Sequence, residues 1–424
     1  MTEGSTPAVL RVPGTPLVVV AVHGAALVVA VGGLGWTLRG GVAEPGVALA
    51  FGVLVAVGEL VRRGGRLREP APLGAAGALA YALLGEAGGR PTSHGAAQVV
   101  AVVAAGVLVG AVPHLARGRG PEPDQVARRI LTVAFAAVCF QPLYNTGVLA
   151  ATAGHGPFHA LFLLLLLLLT ALCDAVLAAL LLHARTRYPY APLLRDELRA
   201  LLGIGSAVCA TGAVIALAVA VAGLWALPVF CVPLLLTQLA FGRYASVRRT
   251  YRQTIASLAR STEVAGYTPA GHAHRVAVLS KAVGRELGLS GEELTVLEYA
   301  ALMHDIGQLS LVDPVPEGAT ALLPADEQRR IALLGGAVVR QTGVPAAVAV
   351  VVERQADPYR EQPLAARIVR AVNAYDDLSG ETAQGALRAL EHLRLGTARD
   401  YHPAVVESLV RVLARGGVAG RVPG

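Results

Sequence analysis

The chain has 424 residues, 54% of them hydrophobic and 15% charged, with a mean hydropathy of +0.56 and a formal net charge of +7. An average soluble domain is about a quarter charged, so these figures exclude a string of ordinary soluble domains and a disordered chain, and the lack of any glycine period excludes a collagen-like repeat. Cys139, Cys173, Cys209 and Cys231 lie inside apolar runs without paired spacing, which argues against a disulfide framework or a zinc site.

The apolar residues concentrate before residue 242. A spanning helix takes about 20 mostly apolar residues, and eight runs qualify: roughly 15–36, 45–61, 71–86, 95–115, 130–151, 158–183, 200–222 and 224–242. The second and third are short and rich in Gly and Ala, which favours close helix contact in lipid. The fifth carries Gln141, Tyr144 and Asn145, followed by His155 and His159; these read either as a small ligand or proton site or as interhelical contacts. The sixth holds Leu163 through Leu169 and then Asp174. An intramembrane carboxylate marks a functional position by default, so Asp174 is a sensing candidate, with a structural hydrogen bond as the alternative.

Arginines orient the runs. The loops after the second, fourth and sixth hold Arg62, Arg63, Arg66 and Arg68; Arg117, Arg119, Arg128 and Arg129; and Arg185, Arg187, Arg195 and Arg199. The alternate loops hold only Arg39 and Arg90. Cytoplasmic loops carry the Lys/Arg excess, so both termini are expected in the cytosol and the number of spans is even. The first run is too long for a signal peptide and lacks a small-residue cleavage site. Residues 1–242 hold 15 Arg against 10 acidic residues, and residues 243–424 hold 21 basic against 19 acidic. The second part has no basic stripe, so DNA binding is not expected; the implied partner is the lipid bilayer of the cell membrane.

After Phe241 the texture changes. Residues 243–264, with Arg243, Arg248, Arg249 and Arg252, read as a connecting helix and as the place where two chains of a homodimer would pair. Residues 265–415 read as one all-helical cytosolic domain and 416–424 as a flexible tail. Apolar residues recur at three-to-four spacing in Val276–Leu287, Leu294–Met303, Ile331–Val339 and Ala365–Leu378. Gly288 ends the first of these, Ser290 and Glu293 form a capping box before the second, and Pro314, Pro316 and Gly318 mark a loop. Lys281 and His274 are expected at the surface, and His402, beside Pro403, at a helix start.

The candidate chemistry lies in this domain, where His272, His274 and His304 come close together and His304 is followed by Asp305. Adjacent His and Asp at the end of an apolar helix can converge on one ion; imidazole with carboxylate suits Mn, Fe, Ni or Zn, with Mg less favoured. A local cap on the helix end is the alternative. The run Tyr267-Thr-Pro-Ala-Gly-His-Ala-His-Arg-Val276, the run Ala300-Ala-Leu-Met-His-Asp-Ile-Gly-Gln308 and the later Ala371-Val-Asn-Ala-Tyr-Asp-Asp-Leu378 and Tyr401-His-Pro-Ala-Val-Val406 together resemble the HD superfamily of metal-dependent phosphohydrolases. Within it they are most similar to the HD-GYP branch, which hydrolyses cyclic di-guanylate.

The resemblance places His272, His304 and Asp305 on metal ligands and Arg275 on the family's His-x-x-Arg. It also exposes departures. The lysine that would touch the scissile phosphate is Gln308, leaving Asp305 and Gln308 at the catalytic positions and Arg275 and Gln308 at substrate-binding ones. The last aspartate ligand is Asn373, a neutral and weaker donor. No histidine falls near 331–333, Val351 and Val352 stand where paired histidines precede Glu353, and the Gly-Tyr-Pro loop is replaced by Asp357-Pro-Tyr359. The remaining set implies a single divalent ion (Mn, Fe, Mg or Ni) or none. Asp376, one turn from Asn373, is either a substitute ligand or a member of a surface pair.

The sequence thus describes a polytopic membrane helix bundle of about eight spans followed by a cytosolic HD domain, all-α throughout. Its first functional reading is a membrane-bound signalling protein that hydrolyses a phosphoester or cyclic dinucleotide. Its second is a catalytically inactive HD module that binds a nucleotide or partner protein and relays a membrane signal. Transport under an HD regulator, resting on Asp174, is a third.

Overall fold

In a computed structural model of the chain, the described residues are 16–62, 71–117, 122–153, 157–315, 318–380 and 382–416. Arg63, Arg66, Arg68, Arg119, His155, Pro316 and most of the expected tail therefore lie outside them. Two compact units divide at Met1–Ala245 and Ser246–Gly424.

The first unit begins with α1 (Leu17–Gly40), α2 (Pro45–Leu60), α3 (Pro72–Ala82), α4 (Ala96–Leu115), α5 (Pro123–Asn145) and α6 (Val148–Ala153). It continues with α7 (Pro157–Thr186), α8 (Tyr190–Ala200), a π-helical turn at Leu201–Gly205, α9 (Ser206–Ala222) and the start of α10 (Ala226–Val264). All eight apolar runs are helical. Among the described residues, five segments are long and apolar enough to cross a membrane: Leu17–Gly40, Ala96–Leu115, Pro123–Asn145, Pro157–Thr186 and Ser206–Ala240. The third run departs from expectation. Its helix has 11 residues, about 16 Å at 1.5 Å per residue, about half the hydrocarbon thickness. The chain then turns through the two-stranded hairpin Glu86–Ala87 and Arg90–Pro91.

The core of this unit gathers Phe51, Tyr81, Val99 and Phe140 from α2, α3, α4 and α5. A Cβ at Gly58 would overlap the Gly74 backbone, so the small residues let α2 and α3 touch main chain to main chain. α5 starts earlier than the run 130–151, which moves Arg128 and Arg129 from a loop into its second turn. Arg129 pairs with Glu59. Arg128 holds Asp174 in a two-pronged bond, Nε to Oδ1 at 2.8 Å and Nη2 to Oδ2 at 3.0 Å. Gln141 is fully buried and donates to the carbonyls of Ala82 and Leu84, and Asn145 donates to the carbonyl of His94, as interhelical contacts do. Arg195 and Arg199, counted as loop charges, sit on α8.

The second unit contains the rest of α10, then α11 (His272–Glu286), α12 (Gly291–Met303), a 3-10 turn (Ile306–Ser310), α13 (Ala325–Gln341), α14 (Ala346–Arg354), α15 (Leu364–Ser379), α16 (Ala383–Leu395) and α17 (Pro403–Gly416). Both hydrogen bonds of the Ser290–Glu293 capping box form. The core is aliphatic and fully buried, built on Val276, Leu297, Met303, Val352, Ile368, Val372, Leu393 and Leu409. Ile255 and Ala259 of α10 belong to it, so the stretch 243–264 supplies core residues as well as connection. Lys281 is not the solvated charge expected: it binds Glu298 at 2.6 Å, and Arg252 takes the other oxygen of the same carboxylate. His274 is exposed and His402 immediately precedes α17. A Cβ at Gly307 would overlap the Ile331 carbonyl, so this glycine lets the turn after Asp305 lie directly on α13.

Candidate metal centre

Three elements of the second unit bring the centre together. Gly271, in the left-handed region at φ 75°, turns the chain so that His272 opens α11. α12 ends at Met303, and its last turn leaves His304 and Asp305 adjacent at the start of the 3-10 turn. α15 presents Asn373, Asp376 and Asp377. His272, His304 and Asp305 are all buried, and their donor atoms lie within 4.8 Å of one another.

The hydrogen bonds on the outer sides settle which atoms face inward. His304 Nδ1 donates to the Ala301 carbonyl at 2.8 Å, and His272 Nδ1 donates to Asp376 Oδ2 at 2.8 Å. Both Nε2 lone pairs are thereby directed at the centre, the arrangement by which outer partners fix a metal-binding imidazole. The two Nε2 atoms are 3.3 Å apart. Asp305 Oδ2 lies 3.3 Å from His272 Nε2 and 3.1 Å from His304 Nε2. Thr320 donates to Asp305 Oδ1 at 3.3 Å and accepts from Asn373 Nδ2 at 3.1 Å, which turns Asn373 Oδ1 to within 2.9 Å of His304 Nε2. With both imidazoles neutral, four acceptor atoms thus face one another, and among the described residues Asp305 Oδ2 makes no hydrogen bond although buried. Such a set repels itself unless a cation sits among it. Separations of 2.9–3.3 Å are those between neighbouring ligands on bonds of about 2.1 Å. The donor set therefore fits a divalent ion.

The charges agree. Burial pushes the His272 imidazole down, but the neighbouring carboxylates of Asp305 and Asp376 outweigh it and hold the group up at about 10. His304 is also raised, because the charge of Asp305 outweighs burial. Asp305 is held far below the carboxylate range against burial by His304 and His272. Asp377 is raised to about 7, burial being the main cause; its Oδ2 accepts from the Ala321 amide at 3.1 Å. The pocket therefore demands positive charge at its centre, which protons or a metal ion can supply.

The other sequence candidates fall elsewhere. Asp376 is on the outer nitrogen of His272, behind the donor set, and Arg275 clamps it through Nη2 at 2.9 Å and Nε at 3.0 Å. Arg275 is thus spent on Asp376 and does not line the cavity beside the centre, nor does Gln308. Gln308 is fully buried, with Nε2 3.5 Å from the Gly318 carbonyl and Oε1 without a partner among the described residues. Ile331 and Ala332, Val351 and Val352 are buried apolar residues, and Glu353 pairs with Arg340. Sequence reasoning missed Thr320, Asp377 and Gln355, whose Nε2 donates to the His304 carbonyl at 2.8 Å. Asp377 adjoins Asp376 and was visible as a pair; Thr320 lies in a loop with no periodicity to flag it.

The sequence profile of the HD domain family matches residues 270–378. The chain is 27% identical over 184 residues to the cyclic di-GMP phosphodiesterase response regulator RpfG of Xanthomonas campestris pv. campestris (strain 8004), covering 39% of this chain and 49% of that relative. The chain therefore spans about half of the relative's length. No solved structure matches.

Proposed function

An HD domain occupies residues 270–378, and from that premise we propose that the protein is a membrane-tethered signalling phosphohydrolase acting on a phosphodiester of the cyclic dinucleotide class. The similarity to a cyclic di-GMP phosphodiesterase supports the substrate class. The observation that carries the reading is the inward convergence of His272 Nε2, His304 Nε2 and Asp305 Oδ2, the last buried and making no hydrogen bond among the described residues.

In this reading His272, His304 and Asp305 hold one divalent ion, with the Asn373 amide oxygen as a fourth, uncharged donor. The chemistry such an ion supplies is polarisation of a phosphoryl oxygen and acidification of water near neutral pH. Asp376 keeps the His272 proton on Nδ1, and Thr320 keeps the Asn373 amide turned inward. The apolar Ile331, Val351 and Val352 support a site for one ion and not two. The five long apolar helices support a bilayer anchor; both termini are assigned to the cytosol, with residues 243–264 relaying changes between 1–242 and 265–415.

A second reading keeps the fold and discards the turnover: an inactive module that binds a nucleotide or partner protein. The observation favouring it is Gln308, a neutral side chain turned to the Gly318 carbonyl where the family has a lysine. Purified full-length protein decides between them through its bound metal and its turnover of cyclic dinucleotides and simple phosphodiesters with Mn or Fe. Turnover abolished by Asp305→Ala supports the enzyme; metal binding without turnover supports the module.

A further inference from the structure

We propose that Arg370 and Tyr401 form an oxyanion subsite that receives a phosphoryl group beside the metal centre. The subsite deepens the phosphohydrolase reading and rests on it for the identity of its ligand. A cavity of about 50 Å³ is lined by Asp305 and Asn373 of the centre and by Gln328, Gln355, Arg370 and Tyr401. A water needs about 10–15 Å³ on this measure, so the space suits a phosphate-sized group and leaves the remainder of a larger phosphoester outside.

Arg370 stands one helical turn before Asn373 on α15, so the two share a helix face. Its Nη1 donates to the carbonyls of Gln355 at 3.3 Å and Asp357 at 3.1 Å. Carbonyls orient a guanidinium without neutralising it. Arg275, Arg340 and Arg354 are matched to Asp376, Glu353 and Asp357, whereas Arg367, which like Arg370 bonds only carbonyls, does not line the cavity. Arg370 has no carboxylate at ion-pair distance among the described residues. A half-buried cation without a counterion bears a desolvation penalty that an arriving anion relieves, and the planar fork of arginine matches phosphoryl oxygens. Tyr401 is buried, and among the described residues its hydroxyl makes no hydrogen bond, leaving a donor for the same anion. The positive charge missing at Gln308 is therefore supplied from α15, by an arginine that shares the cavity with Asp305.

The test titrates inorganic phosphate into purified full-length protein, Mn-loaded and metal-stripped, by calorimetry, with metal content measured in parallel. Arg370→Ala is expected to keep the wild-type metal content and weaken phosphate at least tenfold, with Tyr401→Phe weakening it less. Arg370→Gln, which keeps a donor for the two carbonyls but not the charge, decides the matter if the alanine variant unfolds. Phosphate affinity unchanged in Arg370→Gln, or absent from the wild type, overturns the subsite while a retained metal leaves the centre standing. Phosphate binding that depends on Arg370 in a wild type that binds no metal upholds the subsite and overturns the metal reading instead.

Discussion

Replacing Asp376 by alanine separates a residue that positions a ligand from one that is a ligand. Asp376 Oδ2 accepts from His272 Nδ1 at 2.8 Å and is itself gripped by Arg275. Loss of such a partner typically weakens metal binding about 10–100-fold, or about 1.4–2.7 kcal/mol. A second effect runs the other way. Metal must displace the proton from His272, whose pKa stands at about 10 against an ordinary 6.5. At pH 7, three units below, that displacement costs about 4 kcal/mol. Asp376 is one of the three carboxylates, with Asp305 and Asp377, that sustain the shift, so its removal eases proton competition and masks part of the positioning loss near neutrality. The deficit of Asp376→Ala should therefore widen as pH rises from 7 to 8.5, while wild-type affinity climbs across the same range. Asp376→Asn retains an acceptor and should lose less. Manganese titrations of full-length protein at both pH values read these quantities. An Asp376→Ala affinity equal to wild type at both refutes the positioning argument. A loss as complete as that of His272→Ala at both identifies Asp376 as a ligand.

Asn373→Asp puts a charged oxygen where Oδ1 now lies 2.9 Å from His304 Nε2; metal affinity should rise on the order of tenfold, about 1.4 kcal/mol, in the same titration. Glu286 is held below its ordinary pKa, burial being outweighed by Arg415 at 2.6 Å and Arg411 at 3.1 Å. A depressed carboxylate stabilises above its unfolded pKa of 4.5 and loses that contribution as pH falls through and below that value. Both arginines are more than a third exposed, so Glu286→Gln should cost about 1 kcal/mol or less at pH 7, with a shallower acid limb in urea unfolding between pH 5 and 3. In the first unit, Asp174→Ala removes the two-pronged bond from Arg128 and should lower stability in detergent by about 1–3 kcal/mol. The double variant with Arg128→Ala should recover part of that loss; no recovery contradicts the pairing.

Much of this architecture was legible in the residues. The apolar runs became helices even where Pro113, Pro142 and Pro233 fall inside them, and the capping box formed because Ser290 and Glu293 satisfy each other's backbone amides. The third run misled because its apolar text continues past the helix end; α3 stops at Ala82 and the chain turns through Gly88 and Gly89, both at positive φ. α14 and α16 were missed: the first is a short, nearly uniform apolar stretch with little period, and the second starts from Thr382, whose side chain accepts from the Gly385 amide. At the centre, His272, His304 and Asp305 were identifiable by type and text. Arg275 and Asp376 were visible but their roles were not, since only the fold shows that they grip each other behind His272. Arg370 gave no signal, because an arginine on a helix is ordinary until the fold sets it on the cavity beside Asp305 and Asn373.

The central claim is that His272, His304 and Asp305 hold one divalent ion. The direct measurement is the metal content, by elemental analysis, of full-length protein exposed to manganese and dialysed, for wild type, His304→Ala and Asp305→Ala with folding checked by circular dichroism. One ion per chain in the wild type and none in either folded variant is the expected result. A wild type without metal, or variants that keep it, contradicts the account.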